Sequence, residues 1–280
     1  MNALEIKNLT KKIGDFQLDS LTLTLPSGCI MGLIGENGAG KSTVIRLILD
    51  ILHKDSGTVT LLGRDNQEDI RLTKEEIGVV PDEVGIPDCL TAKQVGKIMK
   101  NTFCHWNDGE YARLLQKLSL PTEKAFRDYS RGMKMKLGIA IAMSHGSRLL
   151  LLDEPTSGLD PVARDEVVEM LYEFTRDETH SVLISSHIVS DLEKLCDYVA
   201  FLHRGKLLLC EEKDLLLAEY GMIHCSSEQL QRLDSSAVKH KKESPYGAEA
   251  IVRRDAVPSD IPISPISIEE LFVYMAKGAE

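Results

Sequence analysis

The chain has 280 residues, 43% hydrophobic and 27% charged, with a formal net charge of −10. This is enough for one large core with a modest appendage, and the short basic run Lys239-His240-Lys241-Lys242, followed at once by Glu243, argues against a nucleic-acid surface. Six scattered cysteines (Cys29, Cys89, Cys104, Cys196, Cys210, Cys225) without CxxC spacing predict buried thiols rather than a zinc site or disulfide framework, and neither a signal-like leader nor a bilayer-length apolar run is present, so a soluble, cytoplasmic chain is expected whose membrane link comes through a partner.

Leu4, Ile6, Leu9 and then Phe16, Leu18, Leu21, Leu23, Leu25 nearly alternate and stop at Pro26-Ser27-Gly28, which predicts a small antiparallel sheet. Cys29 to Ile34 reads as a strand running into a glycine-rich loop, and Ser42 to Leu52 as the helix after it. From about 82 to 132 the spacing turns helical, over Ala92 to Trp106 and Glu110 to Leu118, an inserted helical subdomain in which Phe103 and Trp106 fall at (i, i+3) on one face. Leu149 to Leu152 and Val182 to Ser185 are apolar strands of the buried parallel type, separated by a helix over Val162 to Thr175. The fold class is therefore α/β with a mainly parallel sheet. After about Lys213 the signals weaken, with Pro245-Tyr246-Gly247 as a hairpin turn and Ile268 to Ala276 as a closing helix. The division expected is a main domain over 1–214 and a small α/β extension over 215–280.

Gly35-Glu36-Asn37-Gly38-Ala39-Gly40-Lys41-Ser42 fits GxxxxGK[ST] between the predicted strand and helix, the context a P-loop requires. Glycines let consecutive N–H groups curl round a phosphate, and the helix presents its positive end to the same anion. Lys41 adds a charge for the terminal phosphates, Ser42 a hydroxyl for Mg²⁺, and Thr43 follows closely. Leu149-Leu150-Leu151-Leu152-Asp153-Glu154 ends a buried strand in two carboxylates, of which Asp153 suits the Mg²⁺ shell and Glu154 a general base acting on water.

The order GENGAGKST, YSRGM, LLLLDEP, SGLD and SSH resembles the nucleotide-binding subunit of ATP-binding cassette (ABC) transporters over about residues 1–215. The resemblance implies a P-loop NTPase core with an antiparallel β-subdomain and a helical subdomain, ATP and Mg²⁺ as ligands, and a head-to-tail dimer of cassettes, homodimeric or heterodimeric. In such a dimer the signature loop Ser130, Arg131, Gly132, Met133 faces the partner's γ-phosphate, Asp160 of Ser157-Gly158-Leu159-Asp160 joins the two sites, and His187 is the switch histidine. The family usually has glycine where Arg131 stands and glutamine where Met133 stands; Arg131 either reaches a phosphate or is a solvated charge. Where the family has a loop glutamine that links Mg²⁺ to the membrane-facing subdomain, this chain has Asp82, an oxygen ligand one methylene shorter. The family's adenine-stacking tyrosine aligns with Ile13, leaving Phe16 as the aromatic substitute.

The wording DEPTSGLDPVARDE and ISSHIVSDLEKLCDY resembles most the small separate ATPase subunits of bacterial exporters. That implies ATP hydrolysis powering transport through a separate transmembrane permease, on the cytoplasmic face of the membrane. A soluble non-transport ABC ATPase and a weakly hydrolysing regulatory cassette are the alternatives. Tandem cassettes and coiled-coil inserts would mark the first; the departures at Asp82, Arg131 and Met133 motivate the second.

Overall fold

The computed structural model describes residues 2–68, 74–234, 237–244, 247–258 and 261–278. Strands β1 (Asn2–Ile13) and β2 (Phe16–Pro26) form a hairpin that joins β4 (Ser56–Leu61) and β5 (Arg64–Asp65) in an antiparallel sheet of order β2-β1-β4-β5. The alternating leucines of both long strands turn to one face and are buried, as a half-buried sheet demands.

The central sheet runs β10-β9-β3-β8-β7-β6. Its parallel members are β3 (Ile30–Ile34), β6 (Ile77–Val80), β7 (Leu149–Asp153), β8 (Ser181–Ser186) and β9 (Tyr198–His203), while β10 (Lys206–Glu212) is antiparallel to β9. Every residue of β3 and β8 is buried, because helices or a second sheet cover both faces. This order sets the end of β8 between those of β3 and β7, which brings the two motifs that flank it together.

Helix α1 (Lys41–Ile48) ends short of the predicted Leu52. Asp50 takes a left-handed φ of 52°, a conformation that terminates helices, and Ile51 beyond it is exposed. The stretch expected as one helix over Ala92 to Trp106 is shorter too. Helix α2 (Ala92–Thr102) starts on a Thr91/Gln94 capping box and stops where Phe103 turns extended; Asn107 then caps α3 (Asp108–Lys117). Phe103 stacks on His145 at 4.1 Å and Trp106 leans on Tyr111 at 4.9 Å. The two aromatics therefore have separate partners and form no common face.

Helix α4 (Arg131–Met143) buries Gly132, Met135, Leu137, Gly138, Ile139, Ala140 and Ala142, so it is covered on more than one face. Helices α5 (Pro161–Phe174) and α6 (Val189–Leu195) complete this layer.

Beyond α7 (Lys213–Glu219) lies a third, antiparallel sheet of order β12-β13-β11-β14, from β11 (Tyr220–Cys225), β12 (Val238–Ser244), β13 (Gly247–Arg253) and β14 (Ile263–Ser264). Helix α8 (Ser227–Arg232) follows β11, and α9 (Ile268–Gly278) closes the chain. β12 and β13 pair with Ser244 opposite Gly247; Pro245 and Tyr246 of the expected hairpin turn lie outside the described residues. The extension has a small apolar cluster of its own, around Ile223, Leu230, Ala250 and Val252. Met222, Ile251, Ile268, Leu271 and Phe272 instead join the main core.

All six cysteines are free thiols, but only Cys196 is buried, and its burial raises its pKa. Cys89 and Cys104 are exposed and the other three half-buried, so the expectation of buried thiols holds for Cys196 alone. No helix among the described residues is long and apolar enough to cross a membrane.

Candidate nucleotide-binding site

The loop from Gly35 to Gly40 depends on glycine in two ways. Gly38 and Gly40 have φ of 84° and 110°, where an L side chain is strained. A Cβ at Gly35 would stand 2.5 Å from the Leu202 carbonyl oxygen. The backbone is therefore free to curl ahead of α1, whose N-terminal N–H groups have no intrahelical acceptors.

Lys41 is only 6% exposed. Its Nζ donates to the carbonyls of Gly35 at 2.7 Å and Glu36 at 3.2 Å, and lies 3.1 Å from Glu154 Oε1. The other carboxylate oxygen, Glu154 Oε2, is 2.7 Å from His187 Nδ1 and accepts the His187 backbone N–H at 3.3 Å. Lysine, glutamate and histidine thus form one chain of contacts from the start of α1 and the ends of β7 and β8.

Glu154 takes a left-handed φ of 52°, a strained conformation for a non-glycine residue. Its N–H donates to Ser185 Oγ at 3.1 Å and to the Ser185 carbonyl at 3.2 Å. The same Ser185 hydroxyl donates to Asp153 Oδ1 at 2.6 Å, so one buried side chain braces both carboxylate residues. In the sequence Ser185 stands at the end of an apolar strand and at the start of SSH with no role of its own; a hydroxyl in a fully buried strand beside two acids is the signal that marks it.

A cleft of about 270 Å³ is lined by Phe16, Asn37, Gly38, Gly40, Lys41, Ser42, Thr43, Asp82 and Glu154. Phe16 is the aromatic at its wall, whereas Ile13, its cross-strand partner, is 44% exposed and does not line it. Glu36 and Ala39 belong to the loop but not to the lining: Glu36 is exposed and Ala39 buried beneath.

The signature segment stands apart from this cleft. Ser130 caps α4 by accepting the Met133 N–H at 3.3 Å, Gly132 lies against Ala163, and Met133 packs on the core. Asp160 caps α5, accepting the N–H groups of Val162 and Ala163 at 3.0 Å each. Those bonds, that to Ala163 foremost, hold its carboxyl below the usual range. Asp82 and Arg131 meet: Asp82 Oδ1 accepts from Arg131 Nη2 at 2.8 Å.

A glycine loop entering a helix, a buried lysine and a strand-end carboxylate pair on a parallel sheet define a P-loop nucleoside triphosphatase. Residues 18–157 match the ABC transporter family, and the chain belongs to it as an ATP-binding subunit, an ATPase coupled to transport. It is 33% identical over 243 residues to the lantibiotic transport ATP-binding protein SrtF of Streptococcus pyogenes, with 85% of this chain and 99% of that one covered. It is also 29% identical over 288 residues to the ABC transporter ATP-binding protein YtrB of Bacillus subtilis (strain 168), with 98% of each covered. A solved ATP-binding subunit of an ABC transporter has a TM-score of 0.70 to this chain at 26% identity, covering 76% of this chain and 91% of that one.

Proposed function

We propose that this chain is the motor of an exporter: two cassettes, each 1–214 with its extension 215–280, bind ATP between them and drive a separate membrane permease from the cytoplasmic face. The observation that carries the reading is the Lys41–Glu154–His187 chain of contacts, of which Lys41 and Glu154 line the P-loop cleft.

In this reading each residue has a distinct part. The loop N–H groups and Lys41 take the phosphates, and Lys41 exchanges its contact with Glu154 for one with phosphate oxygens. Glu154 is then free to accept a proton from the attacking water, with His187 orienting it. Phe16 at the cleft wall is placed to stack on a base. Ser130, Arg131, Gly132 and Met133 serve the ATP held by the other cassette, and Asp160 connects the two sites.

Mg²⁺ fits the donor set: the Ser42 hydroxyl and the Asp153 carboxylate are hard oxygen ligands, and Ser185 already fixes one Asp153 oxygen. When bound, the ion would neutralise charge on the transferring phosphoryl group. The export direction is supported by relatives such as SrtF.

The test is ATPase rate against protein concentration, with size-exclusion of Glu154→Gln in ATP and Mg²⁺. A rate rising more steeply than linearly, and an ATP-dependent dimer of the variant with turnover about a hundredfold or more below wild type, are expected. A linear rate and a monomeric variant would refute the two-cassette motor.

A further inference from the structure

Two residues that depart from the family pattern touch each other. Asp82 and Arg131 come from different segments, 49 positions apart, and pair at 2.8 Å. Arg131 is the first residue of α4, whose first turn contains no acid. A cation there opposes the helix dipole and adds to an already positive N-terminus, so the position wants an anion. Within the free protomer Asp82 supplies it.

The arrangement is anchored on two sides. Helix α4 lies tight on β6: a Cβ at Gly78 would meet the Ala142 carbonyl oxygen at 2.7 Å, and one at Gly138 would meet Val84 and Val80 at 3.1 and 3.2 Å. Asp82 follows β6 by two residues. On the far side the Arg131 guanidinium lies on Gly158, where an added Cβ would be 3.2 Å from Nη1. The guanidinium thus sits between the Asp82 carboxylate and the backbone of the Ser157-Gly158-Leu159-Asp160 loop. Asp82 also lines both the nucleotide cleft and a neighbouring cleft of about 420 Å³ that Arg131 shares.

Resting on the two-cassette reading above, we infer that Asp82 is an internal stand-in for phosphate: it occupies Arg131 in the free protomer, and Arg131 must leave it before the signature loop accepts the partner-held nucleotide. Asp82 is a positioning residue that acts through Arg131. The side chains of Arg131 and Asp82 are 53% and 49% exposed, so the pair is weak and exchangeable, and a polyanionic triphosphate competes well for a guanidinium that binds oxygens bidentately. The pair raises the threshold for closing two cassettes and leaves their final contacts intact.

The test measures ATP-driven dimerisation by sedimentation in the Glu154→Gln background, with ATP and Mg²⁺. Asp82→Asn should tighten the dimer about two- to thirtyfold, the span expected when one exposed ion pair is removed from each of the two protomers. Asp82→Glu should stay near the parent, and Arg131→Gln should weaken the dimer. In the Arg131→Gln chain, adding Asp82→Asn should change nothing further. If Asp82→Asn weakens the dimer or leaves it unchanged, or acts equally with Arg131→Gln present, the stand-in role is overturned. A parent that binds ATP yet never dimerises would overturn the two-cassette reading itself, and the stand-in role with it.

Discussion

At the scale of single residues, Ser185 carries more than its chemistry suggests. Its hydroxyl donates to Asp153 and accepts from the Glu154 N–H, and Glu154 holds a left-handed backbone that these bonds help to impose. Removing the hydroxyl leaves a part-buried N–H with only the more distant carbonyl and frees Asp153 from its brace. A hydrogen bond to a charged group contributes about 1.5–3 kcal/mol, and about 1.4 kcal/mol of misplaced transition-state stabilisation is tenfold in rate. Ser185→Ala is therefore expected to lower kcat about tenfold while the ATP dissociation constant, set by the loop and Lys41, moves by less than about threefold. Steady-state ATPase assays paired with nucleotide titration check this; a pure affinity loss would contradict it. The P-loop and the carboxylate pair were legible in sequence because each follows a strand whose apolar run announces it, and His187 stood out only through the order of motifs that resembles the ABC family. The brace between them was not legible, since it depends on β8 lying between β3 and β7, which local pattern does not encode.

At the scale of elements, Asp160 caps α5 and is proposed to join the two sites, and substitution can separate the two. Its carboxylate caps α5 through two N–H groups, and loss of such a cap costs about 1 kcal/mol. Asp160→Ala should lower the urea midpoint accordingly, whereas Asp160→Asn keeps an accepting oxygen and should stay within about 0.5 kcal/mol. If both variants lose ATPase activity alike, the negative charge serves communication between sites; if activity tracks stability, Asp160 is a cap alone. His145 offers a test of how α2 and α4 are held together. Burial lowers its pKa against the opposing contact of Nδ1 with the Glu75 carbonyl, and its ring stacks on Phe103. The unfolded chain takes up the proton at about pH 6.5, but the folded chain does so only lower. Stability from this group is thus fully present above the unfolded pKa and is lost as pH falls through the folded one. Urea midpoints measured from about pH 8 to pH 5 should decline more steeply for wild type than for His145→Gln. The starts of α2 and α3 carry capping residues, Thr91 and Asn107, of the type that marks a helix N-terminus. The break after Thr102 was not legible, because apolar spacing continues through Phe103 and Trp106 although tertiary ring contacts claim both.

For the whole molecule, the extension after Lys213 was the least legible part, and the reason is physical. Its sheet is antiparallel, and several of its apolar residues face the neighbouring core, so no single face shows a clean period. YtrB aligns with 98% of the chain, so a relative extends over this segment too. The joint is specific: the Phe272 ring meets Phe201 of β9 edge-on at 5.3 Å and 70°, and the Ile268 N–H donates to Glu193 of α6 at 3.3 Å. Because Phe201 is fully buried and Phe272 only 7% exposed, Phe272→Ala opens a cavity beside β9, the strand paired with β3. The expected cost is about 3 kcal/mol, near the lower end of Phe→Ala losses in cores, in a single cooperative urea transition. A second transition, with the main one unshifted, would show that the extension folds independently. The shared cluster argues for the first outcome, since separating the parts exposes Leu271, Phe272 and the ring of Phe201 together. A chain truncated after Glu219 should then unfold at lower urea than the full chain even though every P-loop residue is retained.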